Sequence, residues 1–247
     1  MALTAFLLTF VGTLHLVGFL VITLERWNVL QISVNNVSIV DDDRWILLRQ
    51  WCAYMTAICC FHLLEFFTTA LFNPTQATAQ SFLVNHSTTY TMAAITSWTE
   101  FWVRFWLGPS WNIWFLPWMG LLILIISQTI RSWAMVTAGE SFNHIIQTRK
   151  KDNHILVTHG IYRFFRHPSY VGFFYWSIST QLILGNLLHI GLFTFASWRF
   201  FSRRIPYEEE SLCLHFPNEY PQYVARTWMG IPFIQSIVGI DEKQKRN

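Results

Sequence analysis

Charge is scarce in this chain. Asp, Glu, Lys and Arg supply 13% of its 247 residues, against 53% hydrophobic ones. A soluble domain of this length cannot cover so much apolar side chain, which excludes a water-borne globular protein and implies a polytopic membrane protein. Cysteine is sparse as well. Cys52, Cys59, Cys60 and Cys213 make no C-x-x-C pair, so zinc and thioredoxin patterns are unsupported. Three of the four fall in one hydrophobic run, where cysteine serves as a small apolar residue. The first 24 residues lack a basic leader and a small-residue cleavage site, and read as a retained signal anchor and first span. Internal repeats and low-complexity tracts are absent.

What is present is a series of apolar runs. Residues 2–24, 45–72, 82–107 and 111–138 are each long enough to cross a bilayer core, which needs about 20 residues at helical rise. Asn73-Pro74 and Gly108-Pro109 end the second and third. Residues 170–184 and 187–201 form a helical hairpin pivoting on Gly185-Asn186. Its arms are short for full spans, but flanking aromatics extend them at the interfaces. Residues 27–40 mix apolar and polar too freely for a span and form a short re-entrant or interfacial helix, or a loop. The total is six spans, and up to eight if the first third hides short ones. Residues 203–247 read as a soluble tail punctuated by Pro206, Pro217, Pro221 and Pro232.

Some polar residues interrupt the spans. His62 and Glu65 are functional candidates by position, although Glu65 is near the end of its run and could snorkel to the interface. Glu100 and Arg104 are four apart on one helical face and suit a structural pair. The basic groups Arg149-Lys150-Lys151, Arg163, Arg166, Arg203-Arg204, Lys243, Lys245 and Arg246 fall on one side of this topology, with Asp41-Asp42-Asp43 on the other. The positive-inside rule then turns the polar stretch and the C-terminus to the cytosol. Asn36-Val37-Ser38 is a glycosylation triplet on the opposite side, of a kind common by chance.

Residues 141–172 are the longest polar stretch outside the tail. They carry four histidines and five of the seventeen Lys and Arg residues. His159-Gly160 makes a turn after the extended run 154–158. Tyr162, Phe164 and Phe165, interleaved with Arg163 and Arg166, suit a headgroup surface. Pro168 forces His167 out of helical geometry and can itself occupy the first position of the next helix. That start would offer backbone N–H groups to an anion. Beyond the hairpin, Arg204 and Glu208 are four apart, with Pro206 between them making a helix uncertain there. A surface ion pair accounts for Glu209 or Glu210. The run Arg149–Lys151 is a matter of topology.

The run HILVTHGIYRFFRHPSYVG (residues 154–172), Arg204 with Glu208-Glu209, and Glu219-Tyr220-Pro221-Gln222-Tyr223 together resemble the isoprenylcysteine carboxyl methyltransferase family. SFNHIIQ (141–147) and FFYWSISTQ (173–181) narrow the match within a wider group that includes phospholipid N-methyltransferases and, in part, membrane sterol reductases. The resemblance is strong over residues 82–233. It implies an all-α bundle of six to eight transmembrane helices closed by a cytosolic C-terminal cofactor-binding region, not a Rossmann methyltransferase, in keeping with the missing G-x-G-x-x-G. It divides the chain into N-terminal helices, 1–138, and a catalytic region, 139–247. It also implies S-adenosyl-L-methionine as methyl donor and an endoplasmic reticulum location. The acceptor would be the prenylated C-terminal cysteine of CaaX proteins such as small GTPases, with no metal and no nucleic acid.

Carried over residue by residue, Gln147, His154, Ile155, Leu156, Val157, Tyr162, His167, Pro168, Ser169 and Tyr170 would form the cofactor pocket. Glu208 would be a further cofactor contact and Arg204 the group that meets the acceptor carboxylate. Those two would be the catalytic pair. The chain departs from the family at Ile205-Pro206-Tyr207, where relatives carry acidic residues. The chemistry is consistent from below. A carboxylate is ionised at neutral pH and needs no general base, and a sulfonium methyl is already activated. The protein must place the two in line and exclude water, so the lack of a Ser/His/Asp or metal constellation is expected. Tyr175 and Trp176 either line the prenyl path or face lipid. A phospholipid N-methyltransferase, a non-catalytic lipid-binding scaffold and a sterol reductase stand as alternatives.

Overall fold

The computed structural model describes residues 1–26, 33–34, 37–38, 44–84, 87–107, 113–144 and 155–234. Seven α-helices account for most of them: α1 (Ala2–Arg26), α2 (Arg44–Phe72), α3 (Thr88–Leu107), α4 (Leu116–Ala138), α5 (Pro168–Leu184), α6 (Leu187–His215) and α7 (Tyr220–Val224). The only strands among the described residues are β1 (Ser33–Val34) and β2 (Val37–Ser38), a two-residue antiparallel ladder in the segment whose form the sequence left open. Three helical stretches, Ala2–Leu24, Arg44–Phe72 and Leu116–Ser141, are both long and apolar enough to cross a membrane. Among the other long helices, α3 carries Glu100 and Arg104, α5 is 17 residues long, and α6 is polar in its second half.

The chain forms two compact units, neither of them continuous in sequence. One comprises residues 1–67, 78–124 and 178–193, the other 68–77, 125–177 and 194–247. In the first, α1 lies against α2 through small residues: a Cβ at Gly12 would come within 2.9 Å of Cys59 Cβ, and one at Gly18 within 3.2 Å of Cys52 Sγ. The cysteines therefore act as small packing residues. The hairpin corner is built as expected. Gly185 takes φ +68°, which a side chain would resist, and buried Asn186 donates to the Ser97 carbonyl at 2.9 Å.

Glu100 and Arg104 do not mainly serve each other. Glu100 accepts from the backbone N–H of Leu188 and of His189, both at 3.1 Å, at the start of α6. Arg104 donates to the Leu184 and Gly185 carbonyls at the end of α5. A carboxylate at a helix N-terminus and a cation at a C-terminus are what the helix dipole favours. Glu65 does not snorkel. It is 1% exposed, and His62, also buried, donates from Nδ1 to the Phe82 carbonyl at 2.7 Å.

In the second unit α4 and α5 approach through Gly172, where a Cβ would meet Arg131 Cβ and the Ser127 carbonyl oxygen at 2.7 Å. The helix left uncertain at Pro206 is present. α6 runs unbroken through Pro206 to His215. The proline costs about 3 kcal/mol, but Phe201 and Ile205 on one face are 2% and 0% exposed, and burial of each side chain returns roughly 1.5–3 kcal/mol. Phe216, Tyr220 and Tyr223 then form a buried cluster against Leu156 and Tyr162. The glycine contact is directly testable. Gly172→Val should destabilise the protein by roughly 1–3 kcal/mol or prevent folding, read as a fall in the thermal midpoint in detergent. Gly191→Ala, within α6 and with nothing within 4 Å, should not lower the midpoint and should raise stability by roughly 0.5–1 kcal/mol.

Candidate functional site

The second unit contains a cleft with about 130 Å³ of space that water could enter. Its walls come from four places. The extended stretch 155–158 contributes Ile155, Leu156 and Val157. The turn that follows gives Tyr162. The start of α5 gives His167, Pro168, Ser169 and Tyr170. The polar half of α6 gives Glu208. Every residue expected in the cofactor pocket that lies among the described residues is therefore on one cleft; Gln147 and His154 lie outside them. Phe142, Asn143, Arg166, Ser211, Leu212 and Tyr223 are among the other lining residues. Buried Asn73, read from the sequence only as a helix stop, donates to the Phe142 carbonyl at 2.9 Å and so fixes one wall.

Arg204 does not line the cleft but connects to it. Its Nε donates to the Tyr170 hydroxyl at 2.8 Å, and that hydroxyl donates to Glu208 Oε2 at 2.5 Å. Nη2 donates to the His144 carbonyl at 2.6 Å. The guanidinium lies 5.4 Å from the Tyr170 ring centroid, so a cation and a carboxylate are joined through one phenol. The α5 start is less open to an anion than the sequence suggests. The N–H groups of Tyr170 and Val171 are already bonded to the His167 carbonyl. Buried Arg131 donates to the Ser169 carbonyl at 3.1 Å and to its hydroxyl at 3.0 Å.

Two further residues escaped the sequence reading. Glu209, taken there for a surface residue, is 0% exposed. It pairs with Arg166 Nε at 3.2 Å and lies 3.5 Å from His167 Nε2. His167 Nδ1 is 3.9 Å from Glu208 Oε2, so the imidazole stands between two carboxylates, stacked on Tyr170 with the planes 6° apart. Arg131 is the second. A cation within an apolar run is its own signal, and this one was passed over.

The pair Tyr162 and Tyr223 closes the cleft, Tyr223 donating to the Tyr162 carbonyl at 2.8 Å. Burial, and for Tyr162 the nearby Glu208 charge, push both phenols well above the usual tyrosine value. Both remain neutral. The cleft thus offers apolar and aromatic walls together with the Arg166 guanidinium, the His167 ring and the Glu208 carboxylate.

The family model for isoprenylcysteine carboxyl methyltransferases matches residues 118–214. A protein-S-isoprenylcysteine O-methyltransferase of Dictyostelium discoideum is 43% identical over 187 residues, 76% of this chain and 79% of that protein. The chain belongs to the isoprenylcysteine carboxyl methyltransferase family. The protein of the same name from Tribolium castaneum is 46% identical over 74% of this chain, which spans 65% of that relative's length. A solved structure titled as the eukaryotic intramembrane Ras methyltransferase, isoprenylcysteine carboxyl methyltransferase, superposes with a TM-score of 0.75 at 44% identity. It covers 77% of this chain and 69% of that one.

For this family member, two outcomes follow from the site's burial. Glu209→Ala leaves Arg166 without its buried partner and should cost roughly 3–5 kcal/mol in unfolding free energy. Glu210→Ala, exposed on the same helix, should stay within about 0.5 kcal/mol of the parent. The raised phenols set a pH dependence. Above about pH 10 the unfolded chain gives up tyrosine protons that the folded chain keeps. Stability is therefore full below that pH and falls as pH rises through it. Thermal unfolding followed from about pH 9 to 11 should show a smaller fall in Tyr162→Phe than in the parent.

Proposed function

We propose that this protein transfers the methyl group of S-adenosyl-L-methionine to the C-terminal α-carboxylate of a prenylated cysteine. The observation that carries this reading is the Arg204–Tyr170–Glu208 chain at the edge of the cleft. When bound, the donor supplies a sulfonium methyl that a carboxylate oxygen can attack directly. Ile155, Leu156, Val157, Tyr162 and Tyr223 would hold its uncharged parts, and Glu208 would face its positive charge. Gln147 and His154, outside the described residues, would be further contacts of the donor by family resemblance.

Arg204 would receive the acceptor carboxylate. A guanidinium has five N–H donors, and two of them have the partners named above. Charge pairing with Arg204 would strip water from the anion and aim one oxygen at the methyl, which is all the nucleophile requires. Tyr170, neutral and bonded at both ends, sets the spacing between the acceptor's cation and the donor's carboxylate. No base is needed, because the acceptor is already ionised. The prenyl chain, too apolar for water, would reach the site from the bilayer.

The partners in this reading are prenylated CaaX-derived proteins such as small GTPases, with no metal and no nucleic acid. The location is the endoplasmic reticulum membrane, with the cleft and C-terminus toward the cytosol, supported by the clustering of basic residues on that side. A phospholipid N-methyltransferase is disfavoured by Arg204, since an amine acceptor would meet a cation. Membranes carrying this chain should methylate a farnesyl-cysteine analogue from the labelled donor and leave phosphatidylethanolamine unmodified. Arg204→Ala and Glu208→Ala should each lower the rate roughly 100-fold, the size of losing one charge-assisted contact of about 2.7 kcal/mol. Methylation of the amine lipid alone would overturn the reading.

A further inference from the structure

The residues after α7 are of a kind that a soluble tail would not carry. Trp228 is 77% exposed and Phe233 is 92% exposed, while Met229 and Ile231 between them are buried. Phe164, 61% exposed, is held beside Trp228 by a small ladder. Arg166 N–H donates to the Trp228 carbonyl and Trp228 N–H to the Phe164 carbonyl, each at 2.9 Å. Three large rings thus point outward from one firmly bonded segment.

The level of that segment is set by two side chains. The Tyr175 hydroxyl donates to the Gly230 carbonyl at 3.2 Å, and Trp198 Nε1 donates to the Pro232 carbonyl at 3.1 Å. Tyr175 is seven residues into α5, about 10 Å from its start at helical rise. Trp198 precedes Arg203-Arg204 by a turn and a half of α6. The segment therefore runs from the level of the α5 start, where Trp228 is bonded to residues 164 and 166, along both helices of the hairpin to Pro232. Arg163 and Arg226, both exposed, flank the rings.

We propose that residues 228–233, with Phe164, form a foot embedded in the interfacial layer of the bilayer. The rings lie at the boundary of headgroups and acyl chains, where aromatic side chains are favoured, and Arg163 and Arg226 meet lipid phosphates. The occupant is the lipid surface, chosen by the charge of the flanking arginines and by continuity with the hairpin, which the sequence reads as membrane-spanning. This rests on α5 and α6 being in the bilayer and not on methyl transfer. Its consequence is positional. Arg166 bonds to Trp228 through its backbone and to Glu209 through its side chain, so the depth of the foot sets the height of the cleft above the lipid.

The test uses the full chain in nanodiscs of phosphatidylcholine and phosphatidylserine whose acyl chains carry bromine near the headgroup. Trp228→Phe should lose part of the lipid-quenched tryptophan emission relative to the parent. Phe233→Trp, at a site open enough to accept the ring, should add emission that is blue-shifted, quenched by the brominated lipid and protected from aqueous iodide. It also covers the case in which Trp228→Phe fails to fold. Added emission that is quenched by iodide and indifferent to brominated lipid would overturn the proposal and mark the patch as a surface for a partner in the aqueous phase.

Discussion

The Tyr170 hydroxyl, accepting from Arg204 and donating to Glu208, is the contact on which the site's arrangement depends. It joins the first turn of α5 to the second half of α6, Tyr170 and Arg204 being 34 residues apart in sequence. A lone arginine and a lone carboxylate near a membrane would be drawn together or toward water. With a phenol between them, each has a partner while a gap separates them. Removing any one member leaves a half-buried polar group without its counterpart.

That contact in turn requires α6 to stay helical through Pro206. Arg204 and Glu208 share a face only if the helix is unbroken, and the burial of Phe201, Ile205 and Glu209 on the inner face holds it so. Glu209 then secures the other end. It pairs with Arg166 immediately before the Pro168 boundary and lies against the His167 ring. The two adjacent acids have separate tasks: Glu208 faces the cleft, and Glu209 fastens the polypeptide that forms its wall.

Much of this was legible in the sequence because local rules and tertiary structure agree there. His167-Pro168 marks the start of α5, Gly185-Asn186 the hairpin corner, and Asn73-Pro74 the end of α2. The motif residues 155–157, 162 and 167–170 converge with Glu208 because helix starts and extended runs leave their polar edges available. The misreadings share a different cause. Pro206 argues locally against a helix, yet burial of the inner face outweighs it. Glu209 has the composition of a surface residue, and Glu65 seemed placed to snorkel, but both are buried, Glu209 against Arg166 and His167. Glu100 and Arg104 satisfied a helical pairing rule, but the open ends of α5 and α6 compete for both.

The central claim is that Arg204, Tyr170 and Glu208 act as one unit in transferring a methyl group. A double-mutant cycle on kcat/KM with Tyr170→Phe and Arg204→Lys tests it most directly. If the phenol transmits the position of the guanidinium, the double variant will be little worse than the poorer single one. Losses that add in free energy, each substitution exerting its full effect in the presence of the other, would contradict the account.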